Sequence, residues 1–419
     1  MRRTTTRPTR PARRHRALLG PIAAVLLLAA CAGSSDATSG AGRETAPTGS
    51  ATTEPKTSAP GPEHYDGTDD DFYVVPDPLP KGEPGQLIRV QDLGEEDGQH
   101  TVRVMYHSRD AEDRDRAVTG IISYPTAAAP EGGWPVTSQA NGTVGVAGQC
   151  ALSRQGNPAG DWGVEGVHAV TDYIGMGPVG EIHPYLSGPS EGNSVIDAVR
   201  AARNLPEAHA GTRWFSIGHS QGGHGALFAG ERAAGYAPEL DLLGTVSLAP
   251  ATELTKTYGP ADEVVSRIVG VMMLYGAHSE HPEIHFDDYA GAELRAVEDV
   301  FEDGCLDDII SATAGIPGDA FYAHDPIETE PAKGLLHLNQ PGLVATDSPL
   351  FLAQGTDDER VNEQRTQDFF ERVCKLGQVT DLLVVEGANH GGIVPAAAPA
   401  AAAWMNDRLA GKPAPDSCP

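Results

Sequence analysis

Residues 213–226 read RWFSIGHSQGGHGA: an apolar, β-branched and aromatic run, then Gly218-His219-Ser220-Gln221-Gly222, then a helical pattern. In a chain with 49 glycines a G-x-S-x-G pentapeptide arises easily by chance, so the flanking pattern carries the weight. A strand that turns straight into a helix, with glycines where a Cβ would clash, lifts a serine hydroxyl above the edge of a sheet. The bland alternative is a glycine-rich strand-to-helix connection. The elbow reading restricts the rest of the chain to an α/β architecture, with further strands on either side of 214–218.

Such strands are present. Segments 86–93, 101–107, 118–124, 135–140, 169–174, 214–218, 242–249, 349–354 and 382–386 are apolar or alternating, and the later ones are continuous runs suited to a parallel sheet buried on both faces. Helical patterns at 194–203, 222–234 and 396–409 lie between or after them. The alternation predicts an α/β fold with an antiparallel N-terminal section. Between about 252 and 346 the pattern changes to helix candidates at 261–274, 292–301 and 306–314, which reads as a helical cap inserted into the sheet domain. The apolar stretch 269–274 (VGVMML) could meet a flexible ligand or simply pack between cap and core.

A serine hydroxyl needs a base to take its proton and an acid to orient that base. Both are available downstream, each on a loop after a predicted strand. Segment 349–354 runs into Gly355-Thr356-Asp357-Asp358-Glu359, where Asp358 is the candidate acid, with Asp357 and then Glu359 as alternatives. Segment 382–386 runs into Gly387-Ala388-Asn389-His390-Gly391-Gly392, where His390 is the candidate base. Fifteen histidines occur, and this one combines a strand-end position with flanking glycines. A developing oxyanion would be held by the backbone N–H of Gln221 and by Gly142 or Thr143 in the loop after 135–140, unless that loop is a plain glycine turn. His278, His281 and His285, beside Glu280, Asp287 and Asp288, could suggest a metal site, but Pro282 breaks the helix that would align them, so neither a metal nor another cofactor is expected.

Charge and the N-terminus bound the setting. The chain carries 30 basic and 58 acidic residues, and seven of the basic ones are arginines within the first 31 residues, which leaves 23 against 58, a net charge near −35. No basic run follows residue 31, so nucleic acid is not an expected partner. Basic 2–16 and apolar 17–28, followed by Leu28-Ala29-Ala30-Cys31, have the layout of a secretory signal. Leu-Ala-Ala-Cys resembles the bacterial lipobox, which implies a diacylglycerol thioether on Cys31 and a membrane anchor; the alternative is ordinary cleavage near Ala30. Residues 32–70 read as a disordered Ser/Thr/Gly/Pro-rich linker, too poor in apolar bulk to offset the entropy of ordering, so the globular domain is expected over 71–419. The expected location is the extracytoplasmic face of the membrane, or free outside the cell, with the chain acting as a monomer. Setting Cys31 aside leaves Cys150, Cys305, Cys374 and Cys418, an even number for which three pairings are open.

Taken together, the motifs resemble the secretory lipase family of α/β-hydrolases. The matching residues are Asp71-Phe72-Tyr73 with Pro84-Gly85, the 141–145 loop leading to Cys150, Asp172-Tyr173-Ile174-Gly175-Met176-Gly177, His183-Pro184-Tyr185, the 218–223 elbow, 355–361 and Asn389-His390-Gly391. They cover about residues 71–410 in family order. Where the family has a histidine before the glycine of the oxyanion loop, this chain has Asn141. The resemblance implies an α/β-hydrolase fold with the 252–346 insertion as a lid, Cys150–Cys305 and Cys374–Cys418 disulfides, and hydrolysis of carboxylic esters such as acylglycerols through an acyl-enzyme on Ser220. A peptidase or amidase of the same fold and a non-catalytic surface-binding lipoprotein are the alternatives.

Overall fold

Strong cross-strand alternation in the first third of the chain and continuous apolar runs in the rest produce one sheet. The computed structural model describes residues 61–156, 160–257 and 264–419. The signal segment, Cys31 and the linker up to residue 60 lie outside the described residues. Ten strands are seen: β1 (Glu63–His64), β2 (Leu87–Glu96), β3 (Gln99–Arg109), β4 (Asp115–Pro125), β5 (Trp134–Ala140), β6 (Val167–Thr171), β7 (Ala210–His219), β8 (Asp241–Leu248), β9 (Leu350–Gly355) and β10 (Thr380–Val385). Their order across the sheet is β1-β2-β3-β4-β6-β5-β7-β8-β9-β10. Strands β2, β3, β4 and β6 pair antiparallel, whereas β6, β5, β7, β8, β9 and β10 are parallel.

Seven longer helices accompany the sheet: α1 (Gly188–Arg203), α2 (Gln221–Tyr236), α3 (Val264–Ala277), α4 (Leu306–Thr313), α5 (Ala332–Leu338), α6 (Glu363–Lys375) and α7 (Ile393–Leu409). Alternate residues of one strand serve opposite faces. In β9, Leu350 and Leu352 pack with Phe369, Phe370 and Val373 of α6, while Phe351 and Ala353 pack with Ile393, Ala397, Ala401 and Trp404 of α7. Helices α1 and α2 cover the central strands, with Val195, Val199 and Ala226 in one cluster with Val136 and Trp214.

Several boundaries differ from the sequence reading for identifiable reasons. The ordered body starts before residue 71, so the expected 32–70 linker is too long: β1 pairs with β2 at Arg89 and Val90, and Glu63 and Asp69 meet Arg89 and Arg103. Those residues look like linker in sequence because polar ion pairs rather than apolar bulk hold them. Strand β6 stops at Thr171 instead of 174 because Asp172 turns inward to accept from the Ser153 N–H and the Thr119 hydroxyl, and Tyr173 adopts φ 72°. Helix α1 begins six residues before 194; its first turns are glycine-rich because α2 lies close against them, and a Cβ on Gly188 would come within 2.3 Å of the Phe228 ring. The expected 292–301 helix is two short ones, Ala292–Arg295 and Val300–Asp303, with both Leu294 and Phe301 buried in the cap. Helix α6 was not expected, although Asn362 caps it by accepting from the Gln364 N–H.

The residues between β8 and β9 form the helical cap, with a core of its own that includes Met272, Met273, Tyr289, Phe301 and Phe321. It is tied to the sheet domain rather than hung over it. Cys150 and Cys305 are bridged, the Leu306 N–H donates to the Val144 carbonyl at 2.9 Å, and Gln149 Nε2 donates to the Glu302 carbonyl at 2.7 Å. The second bridge, Cys374–Cys418, pins the C-terminal tail. The pairing is the one the family resemblance implied. Closing a loop of 155 residues stabilises by about 5 kcal/mol in the chain-entropy limit. The Cys150→Ala/Cys305→Ala variant is therefore expected to unfold at markedly lower denaturant than the native chain, losing up to about 5 kcal/mol, while Cys374→Ala/Cys418→Ala, whose loop spans 44 residues, loses less.

Candidate active site

The C-terminal ends of the parallel strands converge below the cap, and Ser220, Asp358, His390, Gly142 and Thr143 sit on the connections there. Ser220 lies between β7 and α2 with φ 60° and ψ −118°, a left-handed conformation that is costly for any side-chain-bearing residue. Three backbone bonds hold it: its N–H donates to the Leu248 carbonyl at 2.9 Å, and its carbonyl accepts from Ala251 N–H at 3.1 Å and from His224 N–H at 3.2 Å. The glycines of the pentapeptide answer to the same geometry. A Cβ on Gly218 would stand 2.1 Å from the Gly222 oxygen, and one on Gly222 would stand 2.2 Å from the Ala140 oxygen.

Beyond β9 and β10, Asp358 and His390 meet. His390 Nδ1 lies 2.8 Å from one Asp358 carboxylate oxygen and 3.1 Å from the other. The Asp358 carboxylate also accepts from the backbone N–H groups of Arg360 and Val361, each at 2.8 Å, and from Gln354 Nε2 at 3.2 Å. Burial alone would raise its pKa, but the hydrogen bond and charge of His390 and the two backbone donors together hold it below the usual carboxylate value. Asp357 points elsewhere, accepting from the Thr356 hydroxyl at 3.2 Å, and Glu359 meets the backbone N–H of His390, at 3.5 Å, and the Arg360 guanidinium rather than the imidazole. A carboxylate on Nδ1 leaves Nε2 as the free, proton-accepting nitrogen of the imidazole.

Ser220, His390, Gly142 and Thr143 line one cavity of about 310 Å³. Its walls are mainly apolar, from Ala251 and Val361 below and Ile268, Val269, Met272, Leu306 and Ile310 of the cap above. Of the stretch 269–274, then, Val269 and Met272 face the cavity, while Val271, Met273 and Leu274 are buried in the cap core. Among the described residues the Ser220 hydroxyl makes no side-chain hydrogen bond, so it shares the cavity with His390 without being joined to it; such bonds commonly tighten when substrate arrives. Gln221 is the first residue of α2, where an N–H has no carbonyl partner within the helix. The Asn141 side chain is buried, and its Nδ2 donates to the Thr171 carbonyl at 2.8 Å, so it fastens the loop base.

The histidines and acids around 278–288 are engaged otherwise: His278 Nδ1 meets the Ile284 carbonyl, and the Glu280 carboxylate accepts from the hydroxyls of Ser187 and Ser190. No metal-holding group of His, Cys, Asp and Glu occurs among the described residues.

Two features escaped the sequence reading. His219, the variable second position of the pentapeptide, lines the cavity, donates from Nε2 to the His390 carbonyl at 2.8 Å and lies 4.5 Å from that ring; burial, then the neighbouring His390, lowers its pKa to about 4. The second is a polar cluster buried behind the elbow. Glu191 of α1 accepts from His224 Nδ1 at 2.7 Å, from Gln221 Nε2 at 2.7 Å and from Leu186 N–H at 3.1 Å. His224 Nε2 lies 2.9 Å from the Asn339 carbonyl, so both ring nitrogens face acceptors. Gln221 Nε2 also donates to His183 Nε2 at 2.9 Å, and His183 Nδ1 donates to the Ile174 carbonyl at 2.8 Å. Burial works against the Glu191 carboxylate, but the His224 pair and the hydrogen bonds it accepts prevail and lower its pKa to about 2. The signal available in sequence was the spacing of Gln221 and His224, which places both on one helix face; their partner Glu191 lay in a stretch that did not read as helix.

A model of the secretory lipase family matches residues 164–417. Lipase 5 of Candida albicans is 26% identical over 256 residues, 56% of this chain and 54% of that protein. The chain thus spans about half the length of the Candida lipases it matches. A Mycobacterium tuberculosis protein named as a probable inactive lipase is 23% identical over 83% of this chain and 84% of its own length. Among solved structures, Candida antarctica lipase A in its closed state superposes with a TM-score of 0.70 at 16% identity, covering 84% of this chain and 87% of that one. The rice cell wall degrading esterase LipA from Xanthomonas oryzae gives 0.66 at 17% identity, covering 79% and 100%. These likenesses establish the α/β-hydrolase fold.

The Glu191 carboxylate has a folded pKa of about 2 against an ordinary 4.5, so its contribution to stability is complete above about pH 4.5 and is lost as pH falls toward 2. Unfolding free energy measured from pH 6 to pH 2 is expected to fall more steeply through that window for the native chain than for Glu191→Gln, which lacks the titrating group.

Proposed function

The chain belongs to the secretory lipase family, and on that footing we propose that it is an exported serine hydrolase of carboxylic esters, a lipase or esterase. The observation that carries this reading is the Asp358–His390 hydrogen bond opening onto the same apolar cavity as Ser220. In the proposed reaction His390 Nε2 takes the Ser220 proton as Oγ attacks the ester carbonyl, and the imidazolium so formed is stabilised by Asp358. The oxyanion is held by the Gln221 N–H at the start of α2 and by the N–H of Gly142 or Thr143 in the loop after β5. His390 then gives its proton to the departing alkoxide, leaving an acyl-Ser220 ester. A water deprotonated by His390 attacks that ester, releases the acid and restores Ser220.

The cavity is at the small end of ligand sites, which run from roughly 300 to 1,000 Å³, so short and medium acyl groups fit it best. On p-nitrophenyl esters from acetate to palmitate, turnover is expected to peak below palmitate. Ser220→Ala should abolish it, by on the order of 10⁶-fold, and Asp358→Asn should lower kcat by on the order of 10⁴-fold. No turnover by folded native protein would contradict the proposal and favour a peptide substrate or a binding role.

The N-terminal features complete the proposal. Residues 1–31 act as a lipoprotein signal, Cys31 carries the lipid, and the Ser/Thr/Gly/Pro-rich residues after it tether a monomeric body at the extracytoplasmic face of the cell membrane. Cys31→Ala is expected to move the protein from the membrane fraction to the medium, with loss of the diacylglycerol mass from the N-terminal peptide.

A further inference from the structure

Gln221 is held from two directions. Its backbone follows the strained Ser220, and its side-chain amide is fixed at the far end by Glu191 and His183, 2.7 and 2.9 Å from the same nitrogen. Both hydrogens of that nitrogen are committed. The amide cannot rotate by half a turn, because its oxygen would then face the Glu191 carboxylate. Glu191 is itself committed on both oxygens, to Leu186 N–H and Gln221 on one and to His224 on the other. Glu191, Gln221, His183 and His224 are all essentially without solvent exposure. A conformation like that of Ser220 is strained and persists only where its surroundings over-determine it. The residue most able to relax it is the next one, whose N–H would also swing away from the cavity.

We infer that Glu191 is a positioning residue for acyl transfer: through the Gln221 side chain it sets the direction of the Gln221 backbone N–H, and its His224 partner supplies the compensating charge. The inference rests on the reading of Ser220 as nucleophile and of the Gln221 amide as an oxyanion donor. His224 has two tasks. Its positive charge offsets a carboxylate that would otherwise stand one residue away from a developing oxyanion and oppose it. Its Nε2–H bond to the Asn339 carbonyl extends the clamp to the end of α5, and Asn339 Oδ1 in turn accepts from Gly188 N–H at 2.8 Å. The same polar cluster therefore joins α1, α2 and the cap behind the nucleophile. Glutamine at 191 would present an NH₂ group toward positions where only donors arrive, from Gln221 and from His224, so the clamp requires the carboxylate and not merely its shape.

The test compares the native protein with Glu191→Gln and Gln221→Leu. For each, kcat and KM are measured on p-nitrophenyl butyrate per site titrated with a fluorophosphonate, together with the inhibition constant of an alkyl boronic acid, which forms a tetrahedral anion on the serine. A misaligned donor is expected to lower kcat per titrated site by on the order of 10²-fold in both variants, to weaken the boronic acid by the same factor and to leave KM unchanged. A purely structural role would reduce the number of titratable sites and leave kcat per site intact. That result, or a fall in kcat with undiminished boronic acid affinity, would overturn the inference. Gln221→Leu keeps the Glu191–His224 pair and the Leu186 bond, so it carries the same expectation even if the unpaired imidazolium of Glu191→Gln impairs folding. A native protein that neither turns over ester nor takes the fluorophosphonate overturns the acyl-transfer reading itself, which the variants alone would not do.

Discussion

Everything at the site depends on how closely the backbone of the elbow can approach itself and the neighbouring strand. The Gly218 and Gly222 backbones touch, and Gly222 also lies against the end of β5, at Ala140. That contact brings the start of α2 beside the 141–145 loop, whose Gly142 and Thr143 line one cavity with Ser220. A methyl group at either glycine would push these elements apart. The geometry is then passed outward: β8 holds the Ser220 N–H, Ala251 holds its carbonyl, and β9 and β10, next in the sheet, deliver Asp358 and His390 on their loops.

A second theme is the use of buried carboxylates to fix loops where apolar packing cannot. Asp172 ends β6 and anchors Ser153; Asp358 gathers two backbone amides and His390; Glu191 joins His224 to the elbow. Asp197, in α1, accepts from Ser108, Tyr236 and Arg200, although burial still raises its pKa to about 6. Each is satisfied by several donors, as a buried charge must be to persist. In a chain of net charge −28, most acids are solvated surface, and these few do local structural work that their neighbours in sequence do not disclose.

What could be read in advance follows from this division. The parallel strands, α2, α7 and the helical insertion were legible because apolar periodicity encodes them, and the loops bearing Ser220, Asp358 and His390 were legible because each follows such a strand. Asp358 could be preferred to Asp357 but not separated from it, since one residue of loop decides which carboxylate faces the imidazole. The start of α1 was hidden by Gly188 and Gly192, which lower helix propensity yet are needed for close packing on Phe228. The broken 292–301 segment, the ordered 63–70 residues and the Glu191–His224 pair depend on tertiary partners far away in the chain, for which a single sequence carries no periodic signal.

The central claim is that Ser220 is the nucleophile and that the Gln221 amide and the 141–145 loop receive the oxyanion. Its most direct test is the crystal structure of the protein after reaction with an alkyl fluorophosphonate. The account predicts phosphorus bonded to Ser220 Oγ, with the phosphonyl oxygen within about 3 Å of Gln221 N and of Gly142 or Thr143 N, and the alkyl chain between α3 and α4. Phosphorus on another residue, or a phosphonyl oxygen turned away from both loops, would contradict it.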